Sequence, residues 1–150
     1  MPEGVYSVPI GKGIVRREGS DVTLVAISSM VREALIAADI LADEGVSVEV
    51  IDPRSLKPLD FALISVSVKK TGRVVIADTG WKTNGVAAEI SALITENLFH
   101  HLKVPTQRVA LPDLPAPAAR TLEKAYYPTS ADIVAAIKRI VKTDCSRNIV

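Results

Sequence analysis

Two adjacent histidines, His100 and His101, are the first candidates for metal binding or acid-base chemistry, because the chain has no other histidine. Neighbouring side chains on a helix diverge by about 100°, whereas zinc sites carried on a helix pair histidines at positions i and i+4. A metal ion bound here would need its remaining ligands from elsewhere in the fold. The spacing therefore argues against a metal site on this segment.

Covalent catalysis has no complete set of residues in the sequence. Cys145, the single cysteine, stands in a polar tail without a nearby histidine, and neither GxSxG nor HExxH occurs. Asp78 could act as an acid or a base, but no histidine, serine nucleophile or second carboxylate is paired with it locally. We expect a solvated or capping role for Asp78 and predict no catalytic residue.

Pairs of glycines raise the question of phosphate binding. They occur at Gly11 and Gly13 and again at Gly80 and Gly85, but neither pair forms GxGxxG between a strand and a helix. The turn after the first apolar run, Ser28-Ser29-Met30, also lacks the lysine of a phosphate loop. These glycines are interpreted as residues of turns and helix starts, and no nucleotide site is predicted.

The most distinctive stretch is the run IDPRSLKPLD, which includes Asp52, Arg54 and Asp60. Pro53 and Pro58 restrict its backbone, and Asp60 is placed to cap the next helix. Asp52 and Arg54 can pair with each other or reach across a subunit interface. A structural turn between a strand and a helix and a subunit contact are the two interpretations that remain open.

The run DTGWKTNG, from Asp78 to Gly85, holds the only tryptophan, Trp81, followed by Lys82. A tryptophan in a loop packs against the fold in many proteins, and beside glycines it often marks a contact surface. We keep both interpretations. The candidate interface residues of the chain are therefore Asp52, Arg54, Asp60, Trp81 and Lys82.

Composition narrows the class of protein. The 150 residues are 48% apolar and 23% charged, with a formal net charge of +1, which fits one globular domain and disfavours a nucleic-acid partner. No apolar run approaches the roughly 18 residues of a membrane span. A single cysteine excludes an internal disulfide and fits a reducing compartment, so we expect the cytoplasm and no membrane partner.

Strands and helices alternate along the chain. The apolar runs predict strands at 22–27, 46–51, 74–77 and 107–111, and helical spacing predicts helices at 30–44, 61–70, 86–102 and from Ser130 onward. Residues 13–18 are predicted to form a hairpin with the first of these strands, as an antiparallel strand at the sheet edge. The proline-rich run from Leu111 to Pro117 is predicted to be an extended surface crossing.

This alternation predicts an α/β fold with three layers, α/β/α, around a mostly parallel sheet of about five strands with one antiparallel edge strand. Residues 1–9 are expected to be a linker-like segment, residues 10–142 the domain and residues 143–150 a flexible tail. In such sheets ligands bind outside the carboxyl ends of the strands, which is where the candidate residues follow their strands.

The sequence as a whole resembles the beta subunit of thiamine-diphosphate-dependent 2-oxo acid dehydrogenases, of the pyruvate and branched-chain type. The resemblance is carried by VSVEVIDPRSLKPLD, by KKTGRVVIADTGWKTNGVAAEISALI, by VPTQRVALPDLPAP and by the final IVAAIKRIV. It runs from the first residues to about Val141 and implies the transketolase C-terminal-like fold. The sequence departs from the family pattern at Ser28-Ser29, Pro53, Asn84 and Ala118.

The resemblance implies an assembly domain at a subunit interface, inactive in isolation. In the family, thiamine diphosphate and magnesium belong to the parent enzyme, on the alpha subunit and on the pyrimidine-binding part of the beta subunit, so this chain is expected to bind no cofactor alone. The expected partners are those two parts, the acyltransferase core of the complex and a second copy of the chain. Substrate selection is not expected to reside here.

Two other functions remain open. The first is a stand-alone module that binds a small ligand or a regulator in the crevice at the strand ends. The second is an enzyme in its own right, which would need catalytic residues that the sequence does not display. A fragment of a longer subunit and a separately encoded domain both fit the resemblance.

Overall fold

The computed structural model describes residues 7–145. That part of the chain contains five strands, namely β1 (Ile14–Arg17), β2 (Val22–Ala26), β3 (Val48–Asp52), β4 (Val74–Trp81) and β5 (Gln107–Leu111). Five α-helices accompany them, namely α1 (Met30–Asp43), α2 (Phe61–Thr71), α3 (Val86–Leu98), α4 (Arg120–Tyr126) and α5 (Ser130–Cys145). A 3-10 turn, Phe99–His101, follows α3.

The strands form one sheet in the order β1-β3-β2-β4-β5. β2, β3, β4 and β5 are parallel, and β1 is antiparallel to its neighbour. The predicted mostly parallel sheet with one antiparallel edge strand is thus confirmed. We call the side at which β2 to β5 finish the carboxyl end of the sheet, and the opposite side its amino end.

The predicted hairpin between residues 13–18 and β2 is wrong. β1 pairs with β3, with Ile14 opposite Asp52 and Arg17 opposite Val50. The chain then crosses the start of β3, where a Cβ on Gly19 would stand 2.2 Å from the Val48 carbonyl carbon, so only glycine fits. This crossing leaves both edges of the apolar β2 free to pair with parallel neighbours, which bury it completely.

Helices cover both faces of the sheet, which confirms the three-layer architecture. α1 and α5 pack on one face, against strand residues such as Leu24, Val50 and Val75. α2 and α3 pack on the other face, against Val25, Ile51 and the other strand residues that alternate with those of the first face. The central strands therefore bury side chains on both sides and are apolar without interruption.

Local signals set the helix ends. The Asp60 carboxylate accepts a hydrogen bond from the Leu63 N–H at 3.3 Å, which confirms its predicted role as the cap of α2. Gly72 ends the same helix at φ 71°, and Gly45 follows α1 at φ 79°, both in the left-handed region that glycine adopts readily. Ser29 stands at the start of α1 but makes no side-chain cap.

A polar network lies at the amino end of the sheet. Glu49 is only 3% exposed and accepts hydrogen bonds from the Lys70 ammonium and from the Gly19 N–H. Burial by itself would raise the pKa of Glu49, but the hydrogen bond from Lys70, helped by other donors, outweighs it and lowers the pKa. The pair therefore joins β3 to α2 as ions.

Uncharged hydroxyls form a second polar cluster beside it. Thr23 on β2 is within hydrogen-bonding distance of Ser67 at 2.7 Å and of Thr71 at 2.8 Å, and all three residues are buried. Because each hydroxyl has a partner, the cluster satisfies polar groups that burial would otherwise leave without hydrogen bonds. It fixes α2 on the central strand.

Several predicted boundaries change. β4 extends to Trp81, so Asp78 and Trp81 belong to a strand rather than to a loop. α3 ends at Leu98, and His100 and His101 lie in the 3-10 turn. α4 was not predicted. Residues 7–9 of the linker-like segment have no regular structure, while residues 1–6 and 146–150 lie outside the described residues.

Candidate functional site

Asp52, at the end of β3, is held by residues on both sides of it. Its Oδ2 accepts hydrogen bonds from Arg16 Nε at 3.2 Å and from an Arg16 terminal nitrogen at 3.1 Å, and its Oδ1 accepts one from the Arg54 N–H at 3.0 Å. The guanidinium that pairs with Asp52 is thus that of Arg16, across the β1–β3 pairing, and not that of Arg54. Arg54 is exposed, with φ at 59°.

The turn from Asp52 to Asp60 anchors the segment that leads into the domain. The Gly11 N–H donates to Ser55 Oγ at 2.9 Å, and Ser55 Oγ donates to the Pro58 carbonyl at 2.8 Å. The Gly13 N–H donates to Asp60 Oδ2 at 3.1 Å. Asp60, a candidate interface residue, therefore bonds within the chain at both of its oxygens.

Trp81 stands at the end of β4 with 58% of its surface exposed. Its indole N–H donates to the Tyr126 hydroxyl at 3.3 Å, and that hydroxyl donates to the Leu114 carbonyl at 2.7 Å. Tyr126 therefore joins α4 both to β4 and to the proline-rich crossing. Sequence reasoning missed Tyr126, since neither its spacing nor its neighbours indicated a partner.

Lys82, next along the chain, contributes its backbone. Its N–H donates to the Leu111 carbonyl at 2.9 Å, and its carbonyl accepts from Arg108 at 2.6 Å. One residue later Thr83 donates to Asp113 through both its N–H and its hydroxyl, and these bonds lower the pKa of the Asp113 carboxyl. The exposed side chain of Lys82 stays available at the carboxyl end of the sheet.

Three residues other than glycine have positive φ within residues 7–145, and each follows a parallel strand at the carboxyl end. They are Ser28 after β2, Arg54 after β3 and Asn84 after β4, with φ of 56°, 59° and 57°. Such conformations are uncommon, above all for a residue like arginine, and they cluster at functional sites in other proteins. These three residues with positive φ thus lie at the carboxyl end of the sheet, where α/β sheets bind their ligands.

Exposed apolar side chains gather at the same end. Eleven large apolar residues are exposed in the part of the chain that the structure describes. Seven of them belong to the segments that surround the carboxyl end, namely Val8, Ile10, Leu56, Trp81, Leu114, Leu122 and Tyr127. We call these seven the apolar rim. A rim of this kind is typical of surfaces that another polypeptide covers.

A groove of about 710 Å³ opens between the ends of β2 and β3. Val8 and Leu56 of the apolar rim line it, together with Ser28, Arg54 and the Arg16–Asp52 pair. Its position is that predicted for a ligand in a parallel sheet. The groove thus combines a charged wall with an apolar one.

Asp78 is the main departure from sequence-based expectation. We expected a solvated or capping carboxylate, but Asp78 is 5% exposed, on the face of β4 that carries α2 and α3. No hydrogen-bond donor or cation of residues 7–145 is paired with it. Beside it, a Cβ on Gly80 would lie 2.8 Å from Asp78 Oδ2, so the glycine leaves space next to the carboxylate.

The remaining candidates do not come together. His100 and His101 are exposed and lie in the 3-10 turn before β5, away from the carboxyl end. Within residues 7–145 no three His, Cys, Asp or Glu side chains are grouped so that they could hold a metal ion. In the same part of the chain, no helix has the length and apolarity to cross a membrane.

Comparison with known proteins matches this fold to one domain type. The family model described as "Transketolase, C-terminal domain" matches residues 11–133. A solved structure described as "Split gene transketolase, inactive beta4 tetramer" matches with a TM-score of 0.79 and 32% sequence identity. The match covers 89% of this chain and 43% of that one.

Curated relatives include enzyme subunits from plants and bacteria. The pyruvate dehydrogenase E1 component subunit beta-1 of Arabidopsis thaliana mitochondria is 48% identical over 89% of this chain and 37% of its own length. The subunit beta of the same component from Rickettsia felis is 41% identical, over 93% and 43%. An acetoin:2,6-dichlorophenolindophenol oxidoreductase subunit beta from Bacillus subtilis is 42% identical, over 89% and 39%. The chain thus spans less than half of each.

Proposed function

Because the chain belongs to the transketolase C-terminal domain family, we propose that it completes and dimerises a 2-oxo acid dehydrogenase component, as the carboxyl-terminal domain of the beta subunit. The partners in this proposal are the alpha subunit, the amino-terminal pyrimidine-binding part of the beta subunit and a second copy of the chain. Docking on the acyltransferase core belongs to the same proposal. The names of the Arabidopsis and Rickettsia relatives support the component.

The observation that carries an assembly role is the apolar rim. Most of the large exposed apolar side chains of the described residues surround one end of the sheet, although nothing in the fold of a free monomer requires that arrangement. Burying them against another chain would remove apolar surface from water, which favours association. The transketolase relative is likewise an assembly by name, a beta4 tetramer.

The cofactor of the parent enzymes belongs to the same proposal. Among the described side chains, no three His, Cys, Asp or Glu residues are grouped to hold a metal ion. We propose that other parts of the enzyme hold thiamine diphosphate and magnesium, and no reaction step is routed through this chain. We propose that the purified chain, given both and a 2-oxo acid, is inactive.

We also propose that the protein is located in the cytoplasm. The Arabidopsis relative is mitochondrial by name, whereas the name of the Rickettsia relative carries no such designation.

The assembly role is tested by association with the missing parts. The chain is mixed with the alpha subunit and with the amino-terminal part of the Rickettsia felis beta subunit, and complex formation is followed by analytical ultracentrifugation. We expect a complex, and we expect Leu114→Ser to weaken it about tenfold or more because Leu114 is a rim residue that is 62% exposed.

Val66 supplies the matched control. It is 69% exposed but lies on α2, outside the rim, so Val66→Ser should leave association unchanged. Absence of any complex with the wild-type chain, or equal weakening by both variants, would contradict the proposal.

A second function has one specific observation in its favour, the groove between the ends of β2 and β3. Its volume suits a small ligand, and the Arg54 side chain beside it is exposed. Thermal unfolding in the presence of nucleotides, 2-oxo acids and thiamine diphosphate tests this alternative. A saturable rise in the unfolding temperature with one of them would favour a ligand-binding module.

A further inference from the structure

Asp78 is a buried carboxylate whose partner is not in the described chain. It is only 5% exposed, and no donor from residues 7–145 is bonded to it. The oxygens of Asp78 are not among the fully buried side-chain atoms that lack a partner, so they reach the surface of the isolated chain. A carboxylate that is largely covered but unbonded is placed to accept hydrogen bonds from another chain. Glu49, the other buried acidic residue in this part of the chain, shows the contrast, because Lys70 and Gly19 both bond to it.

A glycine, Gly80, lies directly beside the Asp78 carboxylate and places no side chain over it. Gly80 lies two residues further along β4, in the stretch where the pairing of β4 with β5 is irregular. A Cβ at that position would stand 2.8 Å from Asp78 Oδ2. Gly80 does not have the positive φ that favours glycine. The structure instead explains a glycine here by the closeness of the Asp78 carboxylate, which a Cβ would crowd.

We propose that Asp78 receives a basic side chain, a guanidinium or an ammonium group, from the part of the beta subunit that precedes this domain. This inference rests on the proposed function. Charge complementarity sets the chemistry, since a carboxylate accepts its strongest hydrogen bonds from cationic N–H donors.

The course of the chain sets the source of that donor. Residues 11–13 are bonded to the turn after β3, so the polypeptide that leads into the domain runs along the carboxyl end of the sheet. Asp78 lies near the end of β4 at that same end, three residues before the exposed Trp81. A preceding domain joined through this segment enters at the same end of the sheet as the carboxylate, with β2 between β3 and β4.

Two substitutions test the pairing. Asp78→Asn keeps the shape of the side chain and removes its charge. Gly80→Ala keeps the charge and fills the space beside Oδ2. Asp43→Asn, at the exposed far end of α1, removes the same charge away from the carboxyl end and serves as the control.

Association with the amino-terminal part of the Rickettsia felis beta subunit, co-expressed with the alpha subunit, is measured at low and high salt. Asp78→Asn and Gly80→Ala should each weaken association about tenfold or more, while Asp43→Asn leaves it unchanged. Association of the Asp78→Asn variant should also depend less on salt than that of the wild-type chain, because one ion pair is gone.

Urea unfolding of the isolated chain separates pairing from a structural role. Asp78→Asn should leave the midpoint nearly unchanged, because no group of the described chain is bonded to the carboxylate that it replaces. A lowered midpoint, or association equal to that of the wild-type chain, would overturn the inference about Asp78 and leave the assembly role intact. Failure of the wild-type chain itself to associate would overturn both.

Discussion

The Gly13 N–H lies 3.1 Å from Oδ2 of Asp60 and donates a hydrogen bond to it, so one carboxylate holds the incoming chain and caps α2 at the same time. Asp60 was singled out from the sequence as a cap and as a candidate interface residue. Its structural position makes it a link between the segment 7–13 and the turn after β3.

Asp60→Ala should therefore lower the free energy of unfolding by about 1–2 kcal/mol and release the Gly13 amide from protection against exchange. Urea unfolding measures the first effect and amide hydrogen exchange the second. Asp132→Ala is the control, because Asp132 accepts hydrogen bonds from Thr129 at the start of α5. It should cost a similar amount of stability without a change in exchange at the Gly13 amide.

Gly11 and Gly45 form a matched pair for the packing of the same segment. Both have positive φ, 77° and 79°, so alanine meets a similar conformational cost of about 1 kcal/mol at each. A Cβ on Gly11 would also lie 2.9 Å from Pro58 Cγ, whereas nothing lies within 4 Å at Gly45. Gly11→Ala should destabilise the chain more than Gly45→Ala in urea unfolding. Equal costs would mean that the segment does not pack on the turn in solution.

Glu49→Gln should lower the free energy of unfolding at neutral pH by about 1–3 kcal/mol. We expect the lower part of this range, because the side chain of its partner Lys70 is 42% exposed and solvent weakens the ion pair. The pKa of Glu49 is lowered in the folded chain from its ordinary value of 4.5, so the ionised form is the one that folding favours. The contribution is complete above that ordinary pKa, and it is lost as pH falls from there through the lower pKa of the folded state.

Urea unfolding of both proteins at pH 7 and at acid pH checks the sign. The difference between wild type and Glu49→Gln should shrink in acid. Glu44→Gln removes the exposed pair with Lys138 and should cost less than about 1 kcal/mol at pH 7. A difference for Glu49→Gln that grows on acidification would contradict the assignment.

Tyr126→Phe removes the acceptor of the Trp81 indole and the donor to Leu114. Because both bonds are exposed, we expect a loss of stability of about 1 kcal/mol or less. Trp81 is the only tryptophan, so its fluorescence reports on this site alone, and quenching by acrylamide should increase in the variant. Tyr127→Phe keeps both bonds and should leave quenching unchanged.

Elements with continuous apolar runs were predictable from the sequence. β5 has the bounds that were predicted, 107–111, since Pro105 and Pro112 confine the run on both sides. β4 was predicted to stop at Ala77 because the residues after it are polar or small. It continues because β5 runs alongside, with Trp81 opposite Leu111. α4 escaped prediction because it is seven residues long and buries none of them.

Contacts between distant residues were not predictable. The partner of Asp52 is Arg16, 36 residues away, and it could be found only if β1 were known to pair with β3. The burial of Asp78 likewise follows from the extension of β4, not from any residue near it in sequence. By contrast, the cap at Asp60 is a local feature, and local spacing sufficed to place it at the start of α2.

The position of β1 also constrains the order in which the sheet can form. A strand that paired with β2 could do so through a tight turn as soon as both were present. β1 instead pairs with β3, more than 30 residues further on, so this pairing closes a loop that contains β2 and α1. Closing a loop of that length costs entropy before any contact repays it. The strand nearest the start of the domain is therefore expected to pair more slowly than a strand joined to its partner by a tight turn.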